Sequence, residues 1–303
     1  MNAARGLTHD EQQAFREHGY VIVRGALTPA DLAPVIAEFQ DVIDRTARAL
    51  HAAGSIDATH AGADFETRLG LLTERTDGVF RALFSGASRG PALFELLRHE
   101  KILALTASLL GDELMCHPAY RVRPKLPDLP LTRRLTVVPW HQDSAYLTPD
   151  CDAAELVTVW TALTVSTVEN GCVEVIPDAH RGGILPHRNV RGRAYLDIVP
   201  EALPATPPVA VVAQPGDVLL MTHLTPHRSL PNTTARIRWS VDARYHRAEQ
   251  SSGYPPEAGF LARSRLRPDA VVSTVEEFAR VRASHQAGAA PRRQRWPEEA
   301  PEA

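Results

Sequence analysis

Apolar and polar positions alternate with a helical period over the first third of the chain, and the pattern changes to short β-type runs near residue 114. Thr8, followed three residues later by Glu11, reads as a capping box opening a short helix that stops before Gly19. Tyr20-Val21-Ile22-Val23 predicts a strand. Thr28-Pro29 supplies an N-cap with proline at the first helical position. Beyond it Leu32, Val35, Ile36, Phe39, Ile43 and Leu50 share one face, so a helix of about twenty residues is expected. Residues 51–64 are small and polar and read as a loop, and the run from Ile102 to Leu110 predicts a helix ended by Gly111.

After residue 114, segments rich in Val, Ile, Thr and aromatics are separated by Pro, Gly, Asn and Asp. They predict strands at Leu114–Arg121, Leu156–Leu163, Cys172–Ile176, Val209–Ala213, Asp217–Met221 and Ile237–Tyr245. Short strands joined by turns point to an antiparallel sandwich, jelly roll or barrel. The fold class expected is therefore mainly β with N-terminal helices. One domain over residues 1–285 is expected, with a helical part at 8–112 and a β core at 113–250. Residues 286–303 read as a disordered tail.

Composition narrows the function classes. The 33 Lys+Arg against 36 Asp+Glu give a formal charge of −3, without the basic stripe that nucleic acid or an acidic membrane surface requires. No secretory leader or transmembrane run is apparent, so a cytoplasmic protein is expected. Cys116, Cys151 and Cys172 are odd in number and widely spaced, fitting neither a disulfide framework nor a CxxC zinc site. No GxGxxG or GKS/T loop occurs, which removes support for nucleotide folds.

The chemistry gathers in two stretches. In Trp140-His141-Gln142-Asp143 the histidine and the carboxylate lie two residues apart, and on extended backbone such positions point to the same side. A His-x-carboxylate pair alone is weak, because chance supplies it. Downstream, Met221-Thr222-His223-Leu224-Thr225-Pro226-His227-Arg228-Ser229 adds a second histidine, and Arg238 follows in the apolar-flanked strand Ile237-Arg238-Trp239-Ser240-Val241. Two histidines and one carboxylate on a β framework form the facial triad of non-haem Fe(II) sites, which leaves open positions on the metal. A neighbouring arginine offers a planar fork for a carboxylate. Together these fit an iron site that takes a 2-oxo acid as co-substrate.

Three runs carry a family resemblance. They are Val138-Pro139-Trp140-His141-Gln142-Asp143, Glu169-Asn170-Gly171-Cys172-Val173-Glu174-Val175-Ile176-Pro177-Asp178-Ala179-His180, and His227-Arg228-Ser229-Leu230-Pro231-Asn232. In order and spacing, over roughly residues 10–250, the chain resembles the phytanoyl-CoA dioxygenase family. That resemblance implies a double-stranded β-helix (a jelly roll) and a reaction using Fe(II), 2-oxoglutarate and O2. It places His141, Asp143 and His227 at the metal and as the catalytic centre, and Arg238 on the distal carboxylate of 2-oxoglutarate. Ser229 and Trp160 match positions that line the co-substrate pocket, and Arg123 and Lys125 lie where the family carries a basic residue. Asp178 stands where glycine is more usual. The family's halogenases lack the carboxylate that Asp143 supplies, so the expected reaction is hydroxylation of an unactivated C–H in a small molecule, releasing succinate and CO2.

Other assignments compete. His223 rivals His227 as the distal ligand, and Arg236 rivals Arg238. His180 and His246 read as bonded polar residues, and Tyr146 as either a core aromatic or a substrate contact. A non-catalytic jelly-roll binding protein and a cupin-type metal hydrolase or isomerase are alternatives, but neither gives Arg238 a reason. The substrate, whether acyl-CoA, amino acid or secondary metabolite, is expected to be set by loops at 51–90, 124–137 and 181–206. Their arginines (Arg133, Arg134, Arg181, Arg188, Arg191, Arg193) fit either an anionic group on it or a solvated face.

Overall fold

The protein is described by a computed structural model covering residues 4–84, 89–128, 136–254, 258–287 and 295–299. Helix α1 (His9–His18) carries the expected capping box, with Thr8 Oγ1 accepting from Glu11 N and the Glu11 carboxylate accepting from Thr8 N. Gly19 closes it at φ 79°, and β1 (Tyr20–Val23) follows. Helix α2 (Pro29–Ala52) is longer than expected, 24 residues, and starts with a second capping box between Thr28 and Asp31. Each such cap is worth about 1 kcal/mol. Four short helices complete this part: α3 (Arg68–Thr73), α4 (Gly78–Ala82), α5 (Pro91–Leu97) and α6 (Glu100–Leu110).

The β core is built from β2 (Leu114–Cys116), β3 (Arg121–Lys125), β4 (Leu156–Ala162), β5 (Val173–Val175), β6 (His187–Val190), β7 (Asp197–Ile198), β8 (Val209–Val211), β9 (Val218–Thr222), β10 (His227–Ser229), β11 (Arg238–Arg247) and β12 (Phe260–Arg263). A seven-stranded sheet runs β1-β9-β4-β11-β2-β12, with β3 also paired to β11. A three-stranded sheet, β10-β5-β8, faces it. The expected strand Leu114–Arg121 is in fact two strands, interrupted at His117-Pro118-Ala119-Tyr120, because proline has no N–H for the ladder. The β part also continues past residue 250: β12 pairs with β2, and α7 (Val275–Ala287) packs Phe278 against Phe94 and Phe260.

Alternation along the large sheet sorts its residues into two compartments. Val157, Val159, Val218, Leu220, Trp239, Val241, Ala243 and Tyr245 join the main core under the helices. There Trp239 stacks between Phe39 and Phe65, at 6.4 and 4.3 Å. Phe39 is fully buried, so Phe39→Ala costs about 3–5 kcal/mol. Residues one position out of phase, Trp160, Ala162, Leu219 and Met221, pack instead against Val173, Val175, Val211 and Ala213 of the small sheet. The interior between the two sheets continues from this second cluster into the polar site.

Residues 295–299 are held in place, unlike the disordered end expected there. Arg295 forms a double hydrogen bond to Asp152 at 2.7 and 2.5 Å, Trp296 Nε1 donates to Ala145 O at 3.1 Å, and β13 (Glu298–Glu299) pairs parallel with β6.

Candidate metal and co-substrate site

His141 and His227 meet as an antiparallel bridge, each backbone N–H donating to the other's carbonyl at 3.0 and 2.9 Å. Gln142 is extended, so Asp143 points to the same side as His141 before the chain turns into a short 3-10 segment, Asp143–Tyr146. The potential ligand atoms of His141, Asp143 and His227 all lie within 4.8 Å of one another. The surroundings suit a metal. His141 Nδ1 lies 2.9 Å from Pro139 O, and His227 Nδ1 lies 2.9 Å from Thr225 O. A carbonyl only accepts, so both Nδ1 atoms carry the proton and both Nε2 lone pairs are left for an ion. Burial, and next the neighbouring His227, keep His141 neutral as a ligand must be.

Asp143 is fixed from the large sheet. Burial opposes its charge, but Arg244 more than offsets this and holds the carboxyl well below the usual range. Arg244 Nη2 bonds Asp143 Oδ1, and Thr158 Oγ1 donates to Oδ2 at 2.5 Å. Gln142, between the two candidate ligands, is fully buried and turned away. Its amide donates to Gly183 O and Leu224 O, its oxygen accepts from Leu185 N, and its backbone N–H donates to His187 Nε2. These bonds leave the two-residue spacing no freedom to rotate. Sequence reasoning passed over Gln142, Thr158 and Arg244. Arg244 and Thr158 were visible only as polar positions in phase with Arg238 and Trp160 on their strands.

A narrow cavity of about 80 Å³ runs from the three candidate ligands to Arg238, lined also by Lys125, Thr136, Trp160 and Ser229. Arg238 is 3% exposed; it donates to Ser240 Oγ at 2.8 Å and to Gly171 O at 2.9 Å, and sits 5.4 Å over the Trp160 ring. Its buried Nε has no partner. Gly171 is required here: at φ +84° a Cβ would come within 2.6 Å of Leu230 O and 2.8 Å of Lys125 Cε. Lys125 lies directly across the β3–β11 ladder from Arg238. Its ammonium donates to Thr136 O at 2.6 Å and Ser229 Oγ at 3.0 Å, and burial followed by the Arg238 charge bring its pKa down to about 7. Burial lowers Arg238 to about 10, still charged at neutral pH. Neither cation makes an ion pair with a carboxylate among the described residues.

Arg123 is placed differently. It lines the same cavity, but its guanidinium is engaged by Asp242 at 2.8 and 3.2 Å. Beyond it a wider cavity of about 620 Å³ opens from His141 and Asp143 toward solvent, walled by Phe80, Phe84, Tyr146 and Tyr195 among others. Tyr146 lies edge-on to His141 at 5.9 Å, and its hydroxyl accepts from Leu196 N. Arg236 is half-exposed and paired with Asp64 and Glu66, away from the cavity. His223 is buried outside the ligand cluster, its Nδ1 3.3 Å from Leu156 O. His180 Nε2 contacts Arg16 O and His246 Nδ1 contacts Arg247 O, both structural contacts. Asp178 takes φ +65°, the left-handed conformation that explains a preference for glycine there, and pairs with His18.

The described loop arginines do not line the two site cavities. Arg181 bonds Glu17 O, Arg188 and Arg193 face Asp197, and Arg191 pairs with Glu298. Arg133 and Arg134 lie outside the described residues. No described helix is long and apolar enough to cross a membrane.

A jelly roll with two histidines and an aspartate at one end of a cavity and buried cations at the other defines a class of mononuclear metal proteins. Comparison with known sequences places the chain within it. The sequence model of "Phytanoyl-CoA dioxygenase (PhyH)" matches residues 15–240, three-quarters of the chain, and the chain belongs to that family. A probable phytanoyl-CoA dioxygenase of Caenorhabditis elegans is 25% identical over 79% of this chain and 75% of its own length. A 1-deoxypentalenic acid 11-beta-hydroxylase of Streptomyces arenae is 28% identical over 79% of this chain and 81% of its own length. Among solved structures, a non-heme monooxygenase, ThoJ in its apo form, superimposes with a TM-score of 0.61 at 24% identity, covering 92% of this chain and 96% of that one, which supports the jelly-roll fold.

Proposed function

We propose that the chain is an Fe(II)- and 2-oxoglutarate-dependent dioxygenase that hydroxylates an unactivated C–H of a small molecule, releasing succinate and CO2. The observation that carries this reading is the pair Arg238 and Lys125, buried and bonded to no carboxylate among the described residues, at the far end of a narrow cavity that begins at His141, Asp143 and His227. Uncompensated buried cations are costly, and an acidic ligand relieves that cost. In this reading His141 and His227 hold Fe(II) through Nε2 and Asp143 through a carboxylate oxygen. Iron with its 2-oxo acid and O2 supplies the oxidising power. The chain's own residues do the positioning. Arg238 grips the distal carboxylate as a fork, Lys125 and Ser229 add a charge and a hydroxyl beside it, and Trp160 forms the apolar wall. Arg123, committed to Asp242, separates this pocket from the outer cavity and does not hold the co-substrate. Thr158 and Arg244 keep Asp143 ionised and aimed.

The test is anaerobic loading with Fe(II) and 2-oxoglutarate followed by exposure to O2. Oxygen-dependent succinate is expected, and with a metabolite pool a product gains about 16 Da, one oxygen atom. Iron binding without 2-oxoglutarate binding would leave only a metal protein, and tight Zn²⁺ binding with oxygen-independent turnover would support a cupin-type hydrolase instead.

A further inference from the structure

Alternation on β3 puts Arg121, Arg123 and Lys125 on one face, toward the interior between the sheets, while Val122 goes into the helix-side core. This gives one wall of the site three cations in a row, each about 6.6 Å from the next at the backbone. They differ in what they face. Lys125 stands at the closed end beside Arg238, and Arg123 is neutralised by Asp242. Arg121, at the open end, is solvent-exposed at the mouth of the wider cavity and forms no hydrogen bond or ion pair with any described residue; its guanidinium lies 5.8 Å from the Phe84 ring centre.

The other cations on that cavity are already committed. Arg244 is held by Asp143 and Arg81 by Asp77. The pKa of Arg121 is lowered, by desolvation first and then by Arg123, with Asp242 opposing. An exposed guanidinium without an acidic partner, at the mouth of a cavity walled in part by Phe80, Phe84, Tyr146, Tyr195 and Tyr254, offers an anion a charge-assisted bidentate bond without displacing an existing partner.

We propose that Arg121 binds a carboxylate on the primary substrate, so that the outer cavity selects small carboxylic acids with a compact apolar body. This rests on the reading of the cavity as the substrate site of a 2-oxoglutarate oxygenase. The size of the cavity, about 620 Å³, suits a drug-sized molecule. One uncommitted guanidinium matches one carboxylate, whereas the several phosphates of a coenzyme A thioester call for several free cations. The carboxylate takes the outer position, and the apolar body lies inward between Phe84, Phe80 and Tyr195, toward His141 and Asp143.

The experiment uses three probes of one shape, 2-naphthoate, neutral 2-naphthamide and 2-naphthyl phosphate, titrated anaerobically into enzyme holding Fe(II) and saturating 2-oxoglutarate. Wild type is expected to bind 2-naphthoate at least tenfold more tightly than the amide and no more weakly than the phosphate. Arg121→Gln is expected to lose that preference while keeping amide affinity and 2-oxoglutarate affinity, which also reports that it folds. Arg121→Lys is expected to retain part of the preference. The proposal is overturned if wild type binds none of the probes, does not distinguish acid from amide, or favours the phosphate tenfold. It is also overturned if the preference survives in Arg121→Gln. 2-Oxoglutarate binding is measured separately on wild type, so a failure there sinks the oxygenase reading while the probe preference still decides the role of Arg121.

Discussion

Replacing Arg238 by lysine isolates the geometry of co-substrate binding from its charge. The guanidinium is buried, already donates to Ser240 Oγ and Gly171 O, and has an unpartnered Nε facing a cavity with no acidic residue paired to it. A fork on a carboxylate makes two charge-assisted hydrogen bonds, and each such bond is worth about 1.5–3 kcal/mol. Lysine keeps the charge but supplies at most one of them from a shorter stem, so a loss of about 1.5–3 kcal/mol is expected, or roughly a 10- to 150-fold rise in the Kd for 2-oxoglutarate. Anaerobic titration of the Fe(II) protein measures this directly, through calorimetry or the charge-transfer absorption of the complex. Fe(II) affinity without 2-oxoglutarate is expected to stay within about twofold, because Arg238 is not a ligand. Arg236→Lys is the control: its partners Asp64 and Glu66 lie on an exposed face, so neither affinity nor stability is expected to move by more than about 1 kcal/mol. Normal 2-oxoglutarate binding by Arg238→Lys would refute the reasoning, and loss of binding in Arg236→Lys alone would show the two arginines exchanged.

Alanine at His141, Asp143 or His227 is expected to lower Fe(II) affinity and abolish oxygen-dependent succinate, whereas His223→Ala retains iron; the reverse pattern for His223 and His227 shifts the assignment by one turn of chain. Lys125, lowered to about 7, gains a proton when an acidic ligand binds beside it. 2-Oxoglutarate affinity is therefore expected to be flat below pH 7 and to fall above it, by at most about tenfold per unit. Calorimetry in buffers of different ionisation enthalpy should show proton uptake at pH 8 that is absent at pH 6 and absent in Lys125→Met. Arg244→Met strands the buried Asp143 charge and is expected to destabilise the metal-free protein by about 3–5 kcal/mol in urea melts. Fe(II) should restore part of that loss, since the ion replaces the missing positive charge; an unchanged melt would remove Arg244 from the support of Asp143.

What could be read from the sequence was what is local. Thr8 with Glu11, the single apolar face of α2, and the His-x-Asp spacing each need only a few neighbouring residues to make their case. The break between β2 and β3 was signalled by Pro118, but the apolar and aromatic residues on either side of it, Leu114, Met115, Cys116, Tyr120 and Val122, concealed the interruption. The role of Lys125 depends on its register opposite Arg238, and that of Arg244 on a contact with Asp143 across 101 residues. Neither register nor long-range pairing is encoded in any short window. The same holds for Trp296: a lone tryptophan in a polar, proline-containing stretch carries no sign that its indole will reach the turn after Asp143.

Trp239 also bears on how the molecule comes into being. It fills the space between Phe39 and Phe65, and the strand that carries it also presents Arg238 to the cavity. On a ribosome, the apolar face of α2 emerges on the order of 200 residues before that partner, a wait of roughly 10–40 s at about 5–20 residues per second. β1 waits similarly for β9. The helices can pack on one another early, but the part of their apolar face that meets Trp239 and the large sheet stays uncovered until those strands are made, a dependence on distant pairing that slows folding and leaves the nascent chain open to aggregation. Expression at low temperature, or with a holding chaperone, should raise the soluble yield more than any change made at the site itself.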